Sequence, residues 1–239
     1  MADCNRILVV IPARAGSRRL PRKNVLPLAG KPMICWTIEA AIKANVSDRI
    51  VVTSDDPEVL RLLTQYPESV VGVNRPAELA SDSASTLDVV RDVITRERDA
   101  GYGPDAVVLL QPTSPLRQSQ DIRNAVETYG RGNGESVVSV CEVDHPLAWC
   151  GQVAPDGSLQ GLNLDMGRRS QDCPADYRLN GAVYVVGLHT IEKQSSLFSE
   201  SLLAYIMPRA RSVDVDEELD FELSRAILEK QVAGSGSPE

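Results

Sequence analysis

Seven cations and not one carboxylate fall between Cys4 and Ile38: Arg6, Arg14, Arg18, Arg19, Arg22, Lys23 and Lys31. In a chain of net charge −8 at pH 7, that segregation describes a local anion pocket set in a repelling field. Its centre is Ile11-Pro12-Ala13-Arg14-Ala15-Gly16-Ser17-Arg18-Arg19-Leu20-Pro21-Arg22-Lys23-Asn24, directly after the apolar run Ile7-Leu8-Val9-Val10. Gly16 and Ser17 allow backbone N–H groups to approach phosphate oxygens, while Arg14 and Lys23 neutralise charge. Arg18, Arg19 and Arg22 are read as solvated neighbours. Neither GxxxxGK[ST] nor GxGxxG occurs there, so the loop is not a Walker A loop or a dinucleotide fingerprint.

Three further segments carry chemistry. In Ser212-Val213-Asp214-Val215-Asp216-Glu217-Glu218-Leu219-Asp220-Phe221-Glu222, Asp214 and Asp216 alternate with valines. On an extended chain both carboxylates share a face, and two hard oxygen ligands suit Mg²⁺, which takes one or two carboxylates plus substrate phosphates. Glu217, Glu218 and Asp220 are read as an acidic helix start favoured by the dipole. In Gln111-Pro112-Thr113-Ser114-Pro115-Leu116-Arg117, two prolines stiffen a loop that begins at an amide able to donate and accept, with Ser119 as a helix N-cap. Arg75-Pro76-Ala77-Glu78-Leu79-Ala80-Ser81-Asp82 is a loop suited to closing over a base. The two histidines, His145 and His189, have no paired spacing, which argues against a zinc site.

Alternating elements position these segments. Strands are predicted at 7–11, 49–54, 70–73, 106–111, 136–141 and 181–186, and helices at 32–44, 57–65, 86–98, 119–129 and 217–232. In 86–98, Leu87, Val90, Val93 and Ile94 form one stripe at helical spacing. Apolar strands alternating with helices predict an α/β fold, a three-layer, mostly parallel sheet covered on both faces. Ligands of such sheets lie outside the carboxyl ends of the strands, where 11–24 and 111–117 begin. Between 144 and 177 the pattern dissolves into Pro, Gly and polar residues, read as an inserted flap. The main domain is therefore expected over 1–143 and 178–233, with a disordered tail at 234–239.

The acidic balance argues against nucleic acid or an anionic membrane as partner. Five scattered cysteines without CxxC, no signal-like leader and no long apolar run make the cytoplasm the expected location.

Taken together and in order, residues 11–24, 75–81, 111–117, Arg178-Leu179-Asn180-Gly181-Ala182-Val183-Tyr184 and 212–221 resemble the cytidylyltransferases of nine-carbon 2-keto sugar acids. The CMP–sialic acid synthetases (acylneuraminate cytidylyltransferases) are the best known of these. The resemblance spans about residues 6 to 230. It implies a Rossmann-like nucleotidyltransferase in which Ala13, Arg14, Ser17, Lys23 and Asn24 hold the nucleotide, with Arg75, Ala80 and Thr86 on the cytidine side. Gln111, Arg178, Asn180 and Tyr184 would face the sugar acid, and Asp214 and Asp216 would bind Mg²⁺. Arg14, Lys23 and Asp214 would carry catalysis, and the 144–177 region would pair two copies into a homodimer.

The reaction implied transfers CMP from CTP to the anomeric 2-hydroxyl of a sialic-type (nonulosonic) acid. Sialic acid is the first expectation, with legionaminic or pseudaminic acid as alternatives. Two departures fall where the sugar's carboxylate or acyl groups would be read: Ala148 where sialic-acid members carry Lys, and Ser170 where Arg is usual before Gln171-Asp172, with Arg168 and Arg169 adjacent. They leave the sugar open. From another class, Asp214-Val215-Asp216 formally matches the DxD motif of metal-dependent glycosyltransferases, but it sits near the C-terminus. A silent nucleotide-binding subunit is disfavoured by the intact Lys23, Gln111, Asp214 and Asp216.

Overall fold

The computed structural model describes residues 6–234 except 82, 133–134, 163–173 and 194–195. Its strands are β1 (Ile7–Pro12), β2 (Pro27–Leu28), β3 (Lys31–Pro32), β4 (Arg49–Ser54), β5 (Val70–Asn74), β6 (Ala106–Leu109), β7 (Ser136–Glu142), β8 (Gln152–Val153), β9 (Leu159–Gln160), β10 (Tyr177–Gly187) and β11 (Leu202–Ile206). Its helices are α1 (Met33–Ala44), α2 (Pro57–Leu62), α3 (Thr86–Asp99), α4 (Ser119–Arg131), α5 (Leu188–Lys193) and α6 (Glu218–Gly234).

A seven-stranded sheet in the order β11-β7-β10-β6-β1-β4-β5 forms the centre. The β6-β1-β4-β5 half is parallel, as the continuous apolar runs predict. Strand β10 departs from that pattern, lying antiparallel to both β6 and β7. Strand β11, which the sequence reading did not place, extends β7 in parallel at the edge.

Period-two alternation distributes the core. Ile7, Val9 and Ile11 of β1 pack with Ile34 and Ile38 of α1 and Ile122 of α4 on one face. Leu8 and Val10 pack with Val90, Val93 and Ile94 of α3 and Ile191 of α5 on the other. Each such side chain taken fully out of water contributes about 1.5–3 kcal/mol, so covering both faces is what holds the sheet. The α3 stripe is as expected, with Leu87 partly buried at its end.

Helix starts are well capped. Asp56 accepts from Glu58 N at 2.9 Å ahead of Pro57, and Ser85 accepts from Asp88 N at 3.1 Å. At α4 the N-cap is Gln118, not Ser119: Gln118 N donates to Asp121 Oδ2 at 2.9 Å. The side chain three residues into the helix takes the orphan amide, so the helix begins at Ser119 itself, one residue earlier than a Ser119 cap would start it.

Of the 144–177 region, the described part holds the turn Leu147–Trp149, which includes Ala148, and the small β8-β9 ribbon. Ser170 and its neighbours at 168–172, Asp82, and the tail at 235–239 lie outside the described residues. No described helix is long and apolar enough to cross a membrane.

Candidate functional site

The parallel strands deliver their carboxyl ends to one cavity of about 510 Å³. Its walls come from the loops after β1, β5 and β6, from the start of α3, and from Asp216 ahead of α6. This is the position a doubly wound sheet offers a ligand, because the loops there diverge and helix starts point inward.

The basic loop is held by the end of β4. Ala13 N donates to Thr53 O at 2.9 Å, Ser54 Oγ to Ala13 O at 2.5 Å, and Ala15 N to Asp55 Oδ1 at 2.8 Å. Asn24 Nδ2 closes the loop on itself, donating to Arg14 O at 3.0 Å. Arg75, buried under the cavity wall, donates through Nη2 to Thr53 O at 2.9 Å. Burial lowers the Arg75 guanidinium from its ordinary value, Asp55 acting the other way.

Opposite the loop, the chain from Ser212 to Glu217 crosses the same opening. Val215 N donates to Thr113 O at 2.7 Å, docking it on the loop after β6. The alternation predicted for this segment holds. Val213 and Val215 pack in a cluster with Leu28, Met33, Leu116, Phe221 and Leu228, leaving Asp214 and Asp216 on the other side. Lys23 Nζ bridges the two halves, donating to Val215 O at 2.8 Å and Asp216 Oδ1 at 2.9 Å.

The two carboxylates differ in environment. Burial pushes the Asp214 carboxyl up, the neighbouring Thr113 hydroxyl acting the other way, and no hydrogen bond to its buried Oδ1 forms among the described residues. Burial also works against ionisation of Asp216, but Lys23 and then Arg19 hold its carboxyl below the usual range. A buried carboxylate oxygen without a hydrogen bond is satisfied by a cation, a proton or a turned hydroxyl such as that of Thr113. Two hard oxygen donors beside an open cationic cavity are the donor set that fits Mg²⁺ shared with phosphates. Among the described residues no cluster of three or more His, Cys, Asp or Glu forms a closed metal cage.

Strand β10 passes this site through an irregularity. Leu179 pairs with Val140, yet Tyr184 pairs with Val138, so the intervening residues bulge. The bulge frees backbone amides, and side chains take them: Ala182 N donates to Asn180 Oδ1 at 3.2 Å and Val183 N to Ser139 Oγ at 2.7 Å. Gly181 sits in the left-handed region at φ +73°, and a Cβ there would lie 3.0 Å from Gln111 Oε1 and 3.6 Å from Asp214 Oδ2. Gly181→Ala should therefore lose stability by about 1–2 kcal/mol, the cost of a left-handed non-glycine residue, in a urea melt. A variant as stable as the parent would mean that the bulge relaxes.

Of the predicted site residues, Arg14, Ser17, Lys23, Asn24, Arg75, Thr86, Gln111 and Asp216 line the cavity together. Ala13 lies buried directly behind it, and Ala80 closes the turn after Leu79, its N–H reaching Ala77 O at 3.1 Å. Asp214 stands behind the wall beside Gln111 and Gly181. Tyr184 is nearby, its hydroxyl raised by burial and by Asp214. Arg178 is exposed and reaches Ser212 O at 3.4 Å. Asn180 is not brought to the cavity. It is 1% exposed, and its amide is committed to Ser139, Ala182 and Ser212.

Arg18 and Arg19 are exposed, as expected of solvated neighbours, yet both border the cavity, and Arg19 pairs with Asp216. Arg22 turns away to Glu58 and Asp56 at the start of α2. Arg117, to which the sequence assigns no role, is structural in the site. It is 3% exposed, and its Nη1 donates to Gln111 O at 3.1 Å and Ala182 O at 2.7 Å, clamping Gln111 to β10. Burial pushes its guanidinium down to about 9, with Asp121 opposing. The sequence neighbours of Arg117, Pro115-Leu116 before and Gln118-Ser119 after, carry no signal of that burial.

Comparison with known proteins adds the following. The cytidylyltransferase family model matches residues 8–147. The chain is 37% identical over 227 residues to a CMP-N,N'-diacetyllegionaminic acid synthase of Legionella pneumophila, covering 94% of this chain and 97% of that protein. It is 32% identical over 227 residues to an N-acylneuraminate cytidylyltransferase of Escherichia coli O18:K1:H7, covering 95% of this chain but 53% of that longer protein. In fold, it superposes on a CMP:2-keto-3-deoxy-manno-octonic acid synthetase solved with CTP, with a TM-score of 0.71 at 18% identity over 95% of this chain and 100% of that one.

Proposed function

On the premise that this chain belongs to the cytidylyltransferase family, we propose that it activates a nonulosonic acid by CMP transfer from CTP. The observation that carries this reading is the meeting of the basic loop and the distant acid pair in one cavity, Lys23 to Asp216 at 2.9 Å across 193 residues. We place the triphosphate in the cavity that both border, with Arg14, Ser17, Lys23 and Asn24 on its oxygens. Arg75 and Thr86 border the nucleoside end. Gln111 and Tyr184 flank the acceptor side.

In the reaction the acceptor's anomeric 2-hydroxyl oxygen bonds to the α-phosphorus. The bond from that phosphorus to the oxygen bridging to the β-phosphate breaks, pyrophosphate leaves, and the hydroxyl proton is released. Such a transfer needs alignment and charge stabilisation more than covalent help. Arg14 and Lys23 stabilise charge on the phosphates, and Gln111, held by Arg117, orients the acceptor. Asp214 and Asp216 would hold Mg²⁺, which supplies charge neutralisation and a template for the phosphates when bound.

The acceptor we assign first is a legionaminic-type acid, supported by the Legionella relative matched over nearly its whole length. Sialic acid, the sequence's first expectation, is the second reading, supported by the E. coli relative of which this chain spans about half. The exposed apolar residues Leu147, Trp149 and Tyr177 of the 144–177 region are the surface we assign to a second copy of the chain. The working location proposed is the cytoplasm.

The deciding experiment measures pyrophosphate release with CTP, Mg²⁺ and a panel of legionaminic, sialic and pseudaminic acids. Release is expected with at least one acid, fastest with a legionaminic acid. Release with none would defeat the enzyme reading, and consumption of a CMP-sugar instead would favour the glycosyltransferase. Asp214→Asn should raise the Mg²⁺ concentration needed for half-maximal release, and an unaltered metal titration would remove Asp214 from the metal site.

A further inference from the structure

Among the described residues lining the cavity, five are cationic (Arg14, Arg18, Arg19, Lys23 and Arg75) and Asp216 is the one acid. That acid is already engaged. Asp216 Oδ1 accepts from Lys23 Nζ at 2.9 Å, and Oδ2 accepts from the Arg19 guanidinium. Its backbone is held separately, because Asp216 N and Glu217 N both donate to Asp220 Oδ2 at 3.0 Å. The carboxylate can therefore change partners without the segment leaving its place.

This arrangement conflicts with the demands of a metal-bridged triphosphate. A carboxylate with a cation on each oxygen must give up those contacts, weak as partly exposed pairs are, to bind a divalent ion. Equally, cations held by a carboxylate are not available in full to phosphate. Exchange resolves both demands. We infer that Arg19 belongs to the phosphate-binding machinery with Asp216 as its resting partner, so that an entering triphosphate draws Arg19 and Lys23 off Asp216 and releases it to a divalent cation.

The inference rests on the cytidylyltransferase reading of the site and goes beyond it in two respects. It adds Arg19 as a phosphate-binding residue, and it makes anion and metal binding reinforce each other, each raising the other's affinity by the same factor. Loop charge alone does not confer this role. Arg22, three positions on in the same loop, has a left-handed backbone at φ 55° and points its side chain to Glu58 and Asp56 instead. Arg19 spans 197 residues of sequence to reach Asp216 and borders the cavity as well.

The test uses the full chain without nucleotide, titrated with Mn²⁺ and followed by electron paramagnetic resonance of the free ion. Arg19→Gln should bind Mn²⁺ roughly 5- to 10-fold more tightly than the parent, the scale of an ordinary coupling between sites. Arg22→Gln removes the same charge from the same loop and should bind as the parent does, while Asp216→Asn should bind more weakly. In a second arm, inorganic tripolyphosphate is titrated calorimetrically in chelator. There Asp216→Asn should bind it more tightly, and adding Arg19→Gln should cost more affinity in the Asp216→Asn background than in the parent. Equal Mn²⁺ affinities for Arg19→Gln and Arg22→Gln, or strictly additive tripolyphosphate effects, would overturn the exchange while leaving CTP transfer intact. If neither the parent nor any variant binds Mn²⁺, the metal role of Asp216 and the exchange fall together, and pyrophosphate release decides the cytidylyltransferase reading independently.

Discussion

Lys23→Ala is expected to lower the rate of pyrophosphate release by about 10²–10³-fold, the usual effect of deleting one preorganised donor to developing charge. Lys23 reaches both sides of the cavity opening. Its ammonium is held between Val215 O and Asp216 Oδ1, and it is the first residue of the helical turn Lys23–Val25. That placement keeps the charge at the cavity edge before the triphosphate arrives, and Val215 O can retain it while Asp216 is exchanged for a phosphate oxygen. Melting should change little, because Asp216 is partly exposed and an ion pair of that kind contributes about 0–1 kcal/mol. Thermal melts alongside steady-state assays separate the two effects. Unchanged turnover in a folded variant would place the phosphates elsewhere.

The second large effect concerns stability. Asp121 in the first turn of α4 is 0% exposed and accepts four hydrogen bonds. They come from Gln118 N at 2.9 Å, Tyr205 Oη at 3.1 Å, Arg211 Nε at 3.0 Å and Arg211 Nη2 at 2.7 Å. This carboxylate ties α4 and β11 to the segment that carries Asp214 and Asp216 across the cavity. Removing one charge of a buried pair strands the other, at a cost of about 3–5 kcal/mol. Arg211 keeps some access to water, which favours the lower end of that range. Asp121→Asn should then lower the melting temperature by roughly 6–12 °C, at about 2–4 °C per kcal/mol for a chain of this size. Adding Arg211→Met should recover part of the loss, because the uncompensated charge goes with it. A single variant that melts with the parent would show that the pair contributes nothing net.

Much of the fold was legible because burial imposes a period on the sequence. Continuous apolar runs marked β1, β4 and β6, and the stripe through Val90, Val93 and Ile94 marked α3, since each must face a covered surface. The signal failed where burial is incomplete or direction matters. Strand β11 lies at the edge with Leu202, Leu203 and Ile206 exposed, so it carries no clean alternation. The antiparallel course of β10 left no trace either, because an apolar strand buried on both faces reads the same in either direction.

The candidate site divides along a similar line. Its residue types were visible one segment at a time: an acid-free cationic loop, a proline-stiffened loop beginning at Gln111, and two aspartates alternating with valines. Those features are local, set by composition and by one- or two-residue periods, and the sequence alone determined them together with the family they resemble. Which side chains share the cavity was decided by the tertiary structure. It placed Arg18 and Arg19 on the wall, turned Arg22 to Glu58, and committed Asn180 to the amides of the bulge. It also made Arg117 a buried clamp on Gln111. The physical reason is that hydrogen bonds and ion pairs act over about 3 Å, whatever separation along the chain they join. Lys23 and Asp216 are 193 residues apart in sequence and hydrogen-bonded at 2.9 Å, and only the folded sheet brings them together.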